Sequence, residues 1–431
     1  MPDRLSALDA AFLQVEDRQN RMQLAGMLVF DGPAPSYDDF RAAVCERLVP
    51  LPRFTQRLRQ APFGLTRPSW VDDDAFDLGY HVSRVALPGA GGDDEIAAHI
   101  DQLTSAPLDL QRPLWEVGLV EGVEGGFGVS LKVHHCMVDG LSIIDIFTAL
   151  LAPDSALPDA PPAPRTAPAP RPAPPTSPVK RLQGVAGLLG QAPASILNGG
   201  DSGPTRRTAY VTVPLDHVHA VRRAHGTTVN NVVLAVVAGG LRRYLERHDA
   251  LVDKLHAFVP VNQRAASARG GLGNQIGMTY PALPVGEPDP NDRLAAVVAE
   301  VTRCQETRQA AGTGALMTTL GLAPAPLAAT LNRLVQLKGG MFNLTVTNVP
   351  GPPVEVHLLG RPLRLILGST PLTAQHALTV AVLSYAGSLT FMVTTDPRRL
   401  PDGDQIADDL RAELETLRDH LTLTSTEGSA R

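Results

Sequence analysis

The sequence predicts an α/β protein with mixed sheets, arranged as two domains. Three observations support this prediction: helical and strand patterns alternate along the chain, its 431 residues exceed one ordinary domain, and a proline-rich segment divides it. Prolines recur every two or three positions over residues 152–180, which favours extended polyproline conformations and leaves no hydrophobic periodicity. We therefore expect domains at 1–151 and 205–431, joined by a linker at 152–204.

The first half alternates predicted helices and strands. Ser6 is expected to cap a short helix over LDAAFLQV, and residues 23–30 have the apolar run of a strand. Ser36, followed three residues later by Asp39, starts a second helix, and DDEIAAHIDQL forms a third.

Residues 113–122 and 127–135 are expected to form a β-hairpin. In the second strand the apolar residues alternate with a period of two, and this face runs from Phe127 to Val133. His135 continues the inward face by the same alternation, whereas His134 is expected to point the other way.

The second half repeats the mixture of helices and strands. Residues 228–245 form an amphipathic helix, and residues 406–421 form the last one. Strands are predicted at LHAFVPVNQR, FNLTVTNVPGPP, LRLILGS and HALTVAVLSYAGSLTFMVTTD. The uncharged stretch 309–332 is broken by Gly and Pro, so no segment has the pattern of an ordinary transmembrane helix.

Composition excludes several functional classes. The 38 Lys and Arg against 44 Asp and Glu give a net charge of −6 without a basic patch, so nucleic-acid binding is not expected. The three cysteines are widely spaced, and no HxxxH, HExxH or CxxC pattern is present, so neither a disulfide framework nor a metal site is predicted. The N-terminus lacks the apolar core of a signal peptide, and we expect a cytoplasmic location.

The sharpest chemical feature is HHCMVDG, residues 134–140, where a strand gives way to a helical pattern. An imidazole there can accept a proton from a hydroxyl near neutral pH, since its ordinary pKa is about 6.5. A hydrogen-bonded core histidine and a metal ligand are the alternatives that the residues leave open. Cys136 adjoins His135 but points elsewhere, and it is more simply a packing residue. No GxSxG elbow is present.

HHCMVDG resembles the HHxxxDG motif of the CoA-dependent acyltransferase superfamily, which includes chloramphenicol acetyltransferase and the condensation domains of nonribosomal peptide synthesis. Further segments narrow the resemblance to the bacterial wax ester synthase/acyl-CoA:diacylglycerol acyltransferase family: LSALDAAFLQVE, PLWEVGLVEG, TVNNVVLAVVAGGLRRYL, VPVNQR with GLGNQIG, and NVPGPP. The similarity covers residues 4–420 apart from the linker. It implies two chloramphenicol-acetyltransferase-like domains with a channel at their interface.

The resemblance also implies a reaction. A long-chain fatty acyl group would move from acyl-CoA, a co-substrate, to diacylglycerol or a long-chain alcohol, with no bound cofactor. His135 matches the catalytic second histidine of the motif and would act as general base without a covalent acyl-enzyme. The alternatives are the same fold acylating another hydroxyl or an amine, and a catalytically silent lipid-binding protein.

The remaining motif positions are assigned supporting roles by the same resemblance. His134 would position the site. Asp139 and Gly140 complete the motif, and Asp139 would form a structural ion pair or, in the alternative reading, orient the imidazole. Asn230 keeps the family residue, whereas Asn231 stands where the family has aspartate, a replacement that would lower activity if the acid made a buried hydrogen bond.

NVPGPP and the uncharged stretch suggest how lipid substrates are handled. Asn348, Pro350 and Gly351 either shape the channel wall or simply end a strand. The stretch 309–332 either lines an acyl channel, lies on a membrane surface, or forms a buried helical hairpin. Because the acceptors are insoluble, we expect peripheral association with a membrane or with lipid bodies.

Overall fold

The computed structural model describes residues 3–17, 19–51, 53–60, 66–137, 143–151, 192–200, 202–262, 276–307, 340–373 and 375–428. The strands of this part, in chain order, are β1 (Asp3–Arg4), β2 (Gln23–Asp31), β3 (Gln56–Arg59), β4 (Ser69–Asp72), β5 (Val82–Ala86), β6 (Trp115–Val123), β7 (Gly126–His134), β8 (Arg207–Pro214), β9 (Leu255–Asn262), β10 (Ile276–Thr279), β11 (Ala282–Leu283), β12 (Leu344–Pro350), β13 (His357–Leu358), β14 (Arg361–Ser369), β15 (Leu378–Tyr385) and β16 (Ser388–Thr395).

The helices of the same part are α1 (Ala7–Val15), α2 (Tyr37–Arg47), α3 (Leu78–His81), α4 (Asp93–Ser105), α5 (Ile143–Leu151), α6 (Leu215–Ala224), α7 (Val229–Arg247), α8 (Pro290–Glu306) and α9 (Gln405–Gly428). None of them is both long and apolar enough to cross a membrane.

Three sheets organise these elements. A six-stranded sheet has the order β13-β14-β2-β7-β6-β5, and a second sheet has the order β10-β9-β12-β15-β16-β8 with β11 also paired to β9. A small sheet, β1-β4-β3, completes the first half. Both large sheets contain parallel and antiparallel pairs, so the predicted α/β class with mixed sheets is confirmed.

The local predictions of the first half are confirmed. The Ser6 and Ser36 side chains cap α1 and α2 by accepting hydrogen bonds from the backbone amides of Asp9 and Asp39, each at 3.1 Å. Strands β6 and β7 pair antiparallel as the predicted hairpin. One detail differs: β7 ends at His134, and His135 begins a 3₁₀ turn instead of continuing the strand face.

The six-stranded sheet contains chain from both halves. Strand β14 pairs antiparallel with β2 over most of its length. Gly26 permits this pairing, because a Cβ there would lie 2.3 Å from the backbone oxygen of Leu367. The linker predicted at 152–204 therefore does not assign each large sheet to one half of the chain, because β13 and β14 follow it and belong to the sheet of β2.

Three apolar clusters fill the molecule. One lies between the second large sheet and helices α6 to α9, and another surrounds β2, β6, β7, α2 and α5. The third joins the two large sheets: Met27 of β2 and Leu367 of β14 meet Ala381 of β15 and Met392 of β16. Both faces of β7 are consequently buried, which is why its alternation does not separate a core face from a solvent face.

Candidate active site

His135 lies at the end of the hairpin strand, on the turn His135–Met137. Its backbone amide donates a hydrogen bond of 2.7 Å to the oxygen of Met22, the residue before β2. Helix α1 lies against the turn and places the Phe12 ring on the imidazole, with centroids 3.8 Å apart and planes at 29°. The backbone of His135 is therefore anchored beside β2, and the Phe12 ring covers its imidazole.

Burial sets the protonation state of His135. Part of the residue remains accessible, yet the ring lies deep enough for burial to lower its pKa to about 4, and the neighbouring His134 acts in the same direction. Its Nδ1 has no hydrogen-bond partner among the described residues. At neutral pH the imidazole is accordingly uncharged, the form that can accept a proton.

His134 is fully buried and connects the turn to α1. Its Nδ1 accepts a hydrogen bond of 3.1 Å from the backbone amide of Cys136, so Nε2 is the nitrogen that can donate. That nitrogen lies 2.9 Å from Oε2 of Glu16, the C-cap residue of α1. These contacts tie the turn to α1, and the positioning role of His134 remains a prediction. Cys136 is buried, and burial raises the pKa of its thiol, so it is a packing residue.

Phe12 and Glu16 are the site residues that sequence reasoning missed. They are four positions apart, so α1 presents both toward the turn. The segment LSALDAAFLQVE carried part of the resemblance, but the pattern alone did not connect it with HHCMVDG. Only the tertiary contact of α1 with the turn shows that connection.

Asp139 and Gly140 lie outside the described residues, as do 138 and 141–142. Their assigned roles remain predictions. Among the described residues, His, Cys, Asp and Glu form no group that could hold a metal ion.

Asn231 belongs to the first turn of α7. The Thr228 side chain caps this helix by accepting from the Asn231 backbone amide at 3.2 Å, and the Asn231 side-chain amide donates to the Thr227 hydroxyl at 2.9 Å. The structure thus keeps a capped helix start with an amide in place of the family's acid, and the buried Asn231 Oδ1 has no hydrogen-bond partner among the described residues. Asn230 is half-buried beside it, and its role remains a prediction.

The NVPGPP segment ends β12 at Pro350. Gly351 then donates its backbone amide to the oxygen of Ser384 at 3.0 Å, and a Cβ at this position would lie 2.3 Å from that same oxygen. A glycine is therefore required by the close approach of β15. Asn348 is half-buried on β12, and a channel-lining role for these residues remains a prediction.

Comparison with known proteins assigns the chain to a family. The model of the wax ester synthase/diacylglycerol acyltransferase catalytic domain matches residues 5–191 and 178–233, and the model of the C-terminal domain of the same family matches residues 272–418. The chain belongs to this family. It is therefore an acyltransferase, and the resemblance drawn from HHCMVDG and its companion segments is confirmed.

Similar proteins support the family assignment over nearly the whole length. A protein of Mycobacterium tuberculosis named probable diacylglycerol O-acyltransferase tgs1 is 33% identical over 436 residues, covering 94% of this chain and 93% of that protein. Another, named probable diacylglycerol O-acyltransferase tgs2, is 30% identical over 451 residues, with 96% and 98% covered.

Solved structures agree on the fold. A wax ester synthase/diacylglycerol acyltransferase from Marinobacter aquaeolei VT8 superposes with a TM-score of 0.71 at 28% identity, covering 97% of this chain and 99% of that one. The first condensation domain of the calcium-dependent antibiotic synthetase superposes with a TM-score of 0.66 at 18% identity, covering 97% and 96%. The latter likeness concerns the fold alone.

Proposed function

We propose that this acyltransferase moves a long-chain fatty acyl group from acyl-CoA to the hydroxyl of diacylglycerol or of a long-chain alcohol. The observation that carries the proposal is a neutral imidazole, His135, at the second histidine of HHxxxDG in a chain of this family. The names of the relatives supply the class of acceptor, and acyl-CoA as donor follows from the resemblance of HHCMVDG to the CoA-dependent acyltransferases.

In the proposed reaction His135 takes the proton of the acceptor hydroxyl while the oxygen of that hydroxyl attacks the thioester carbonyl carbon. The tetrahedral intermediate collapses by breaking the carbon–sulfur bond, and the departing CoA thiolate receives the proton from the imidazolium. The acyl group passes directly to the acceptor, so a ternary complex is required and no burst of an acyl-enzyme is expected.

The surroundings of His135 support this role. The cover of Phe12 keeps water from one face of the ring, which favours the neutral base before the reaction. The pair formed by His134 and Glu16 fixes the turn that carries His135.

We also propose that the protein reaches its acceptor by peripheral association with the cytoplasmic face of a membrane or with a lipid body. The argument is the insolubility of the acceptors. Flotation of the purified protein with vesicles that contain diacylglycerol tests this step, and recovery of all active protein away from the vesicles would contradict it.

The activity is tested by release of CoA thiol from palmitoyl-CoA, with dioleoylglycerol or hexadecanol as acceptor. We expect acceptor-dependent release that is lost in His135→Ala and retained in His225→Ala, a change at an exposed histidine. Equal release by folded His135→Ala and by the unchanged protein would refute the role of His135.

A further inference from the structure

Four threonines on adjacent strands form one row across the second large sheet. Thr208 of β8 is the register partner of Thr394 of β16, which is the partner of Thr379 of β15, which is the partner of Thr345 of β12. We call these four residues the threonine row. Each is between 1% and 8% exposed, so the row is a buried line of hydroxyl groups.

The row faces the other half of the molecule. Neighbouring residues of the same strands, such as Val393 and Val380, point to the opposite face and pack against the helices. Two residues along from Thr394 and Thr379, on the face of the row, Met392 and Ala381 pack against the six-stranded sheet. The threonine row therefore continues the interface between the two large sheets, but with polar groups.

The row lies at the end of this interface that carries the histidine motif. The hydroxyl of Thr379 is 3.5 Å from the backbone oxygen of Thr370, the residue directly after β14. Along the same edge, β14 ends with Ser369 opposite Ala25 of β2, and β2 begins with Gln23 opposite His134.

The two ends of the row differ. At Thr208, the row meets the mostly buried carboxyl of Asp101 on α4. At Thr345, the next strand contributes its register partner Phe258, which is half-buried. The rings of Tyr280 and Phe342 lie beside Phe258, with centroids 5.7 and 5.3 Å away. The row thus runs from a closed polar end to an aromatic end that is partly open.

In the described part of the chain, one hydroxyl of the row, that of Thr394, lacks the partner that buried hydroxyls normally have. Thr394 Oγ1 is buried with no hydrogen-bond partner among the described residues, and so is Thr370 Oγ1 beside the row. On the same face, the hydroxyls of Thr212 and Thr390 lie 3.0 Å apart and satisfy each other. Threonines on these two strands can therefore pair, and the absence of such a pair at Thr394 leaves a polar group available to a ligand.

We propose that the threonine row binds the amide groups of the pantetheine arm of acyl-CoA, an inference that rests on the proposed function. Neighbouring strands are about 4.8 Å apart, and the two amide nitrogens of pantetheine, four bonds apart, are separated by about 5 Å when extended. A hydroxyl both donates and accepts, so it suits either side of an amide. An acyl chain has no polar group to offer, so the row selects the arm and leaves the chain to apolar surfaces.

The test compares Thr394→Val, which removes the hydroxyl and keeps the shape, with Thr390→Val. The control residue is on the same strand and face and is equally buried, but its hydroxyl already has a partner. We expect Thr394→Val to raise the KM for palmitoyl-CoA about tenfold, as expected for one lost hydrogen bond to substrate, with kcat and the KM for hexadecanol changed less than twofold. Thr394→Ser is expected to restore most of the affinity, and Thr390→Val to leave all three constants unchanged.

Truncated donors show which part of the acyl donor the threonine row binds. The penalty of Thr394→Val should persist with palmitoyl-pantetheine and disappear with S-ethyl thiopalmitate, which has no amide. Three results would overturn the proposal. Thr394→Val could raise the KM equally for the amide-free donor, leave the KM for palmitoyl-CoA unchanged, or raise the KM for diacylglycerol instead of that for the donor.

A binding measurement separates this inference from the proposed function. The thioether hexadecyl-CoA cannot transfer its chain, and its affinity is measured by calorimetry whether or not turnover occurs. Weaker binding to Thr394→Val than to Thr390→Val supports the threonine row even if no acceptor tested is acylated. Equal binding to both variants refutes it even if the acyl transfer is confirmed.

Discussion

Removing the ring of Phe12 is expected to move the acid limb of the pH profile. The ring lies 3.8 Å from the imidazole of His135 and contributes to the burial that lowers its pKa to about 4. Phe12→Ala opens that face of the imidazole to water, which stabilises the charged form, so the pKa rises toward its ordinary value of about 6.5. The neutral base is then lost at a higher pH.

The size of the effect follows from the two pKa values. With a pKa of about 4, His135 is about 97% neutral at pH 5.5, whereas with an ordinary pKa of about 6.5 it would be about 9% neutral. We expect the unchanged protein to keep kcat/KM nearly constant from pH 7.5 to 5.5. In Phe12→Ala, a pKa raised by one and a half to two units leaves roughly a quarter to a half of the activity at pH 5.5.

The assay is CoA release from palmitoyl-CoA with hexadecanol at saturating acceptor, followed between pH 5 and 8. Phe76→Ala is the matched control, because it removes a ring stacked on a different buried histidine, His81, at 5.3 Å. The reasoning is refuted if the unchanged protein loses activity with a midpoint near pH 6.5, or if Phe12→Ala and Phe76→Ala have the same profile.

Three further predictions concern the supports of the site and of the fold. Glu16→Ala leaves the buried Nε2 of His134 without an acceptor, and we expect it to lower kcat about tenfold and the free energy of unfolding by ~1–3 kcal/mol. Glu16→Gln retains an acceptor and is expected to retain most of kcat. Steady-state kinetics and thermal unfolding measure the two effects. Burial raises the pKa of Asp101 to about 7, above its unfolded value near 3.8, so stability falls as pH rises through this window. Asp101→Asn should raise the Tm at pH 8 and have little effect at pH 4, the gain being at most ~4 kcal/mol; an equal gain at both values would contradict the assignment. Gly239→Ala places a Cβ 2.1 Å from Cδ of Glu413, whose carboxylate pairs with Arg293 in the interior, and is expected to cost ~1–3 kcal/mol in denaturant unfolding.

Local elements could be predicted because their signals are local. Ser6 and Ser36 cap helices within three residues of their own positions, and the hairpin strands are adjacent in the chain. The motif that contains His135 could be found in the same way, since HHCMVDG is continuous. The exact conformation of His135 could not be predicted, because the strand ends where the backbone oxygen of Met22 accepts a hydrogen bond from the His135 amide.

Contacts between distant segments could not be predicted in this way. Pairing of β14 with β2 joins residues more than 300 positions apart, and the only local sign of it is a glycine, Gly26, whose meaning depends on the strand that approaches. The cover of Phe12 over His135 likewise depends on how α1 lies against the turn. Periodicity shows which face of an element is apolar, but not which element will meet it.

The threonine row shows what local sequence leaves out where two sheets meet. Thr379 and Thr394 are polar residues in the largely apolar strands β15 and β16, and the strand sequences alone do not show what covers this face. Strand β14 changes that outcome, because it fastens the second half of the chain to β2 and brings a second sheet over this face. A buried hydroxyl without a partner, as at Thr394 within the described residues, is costly in such an interface, and this cost is the basis for the ligand proposed above. The second half of the chain thus contributes β14 to the first sheet and the threonine row to the interface between the sheets. The proposed site, His135 together with the threonine row, therefore needs residues of both halves.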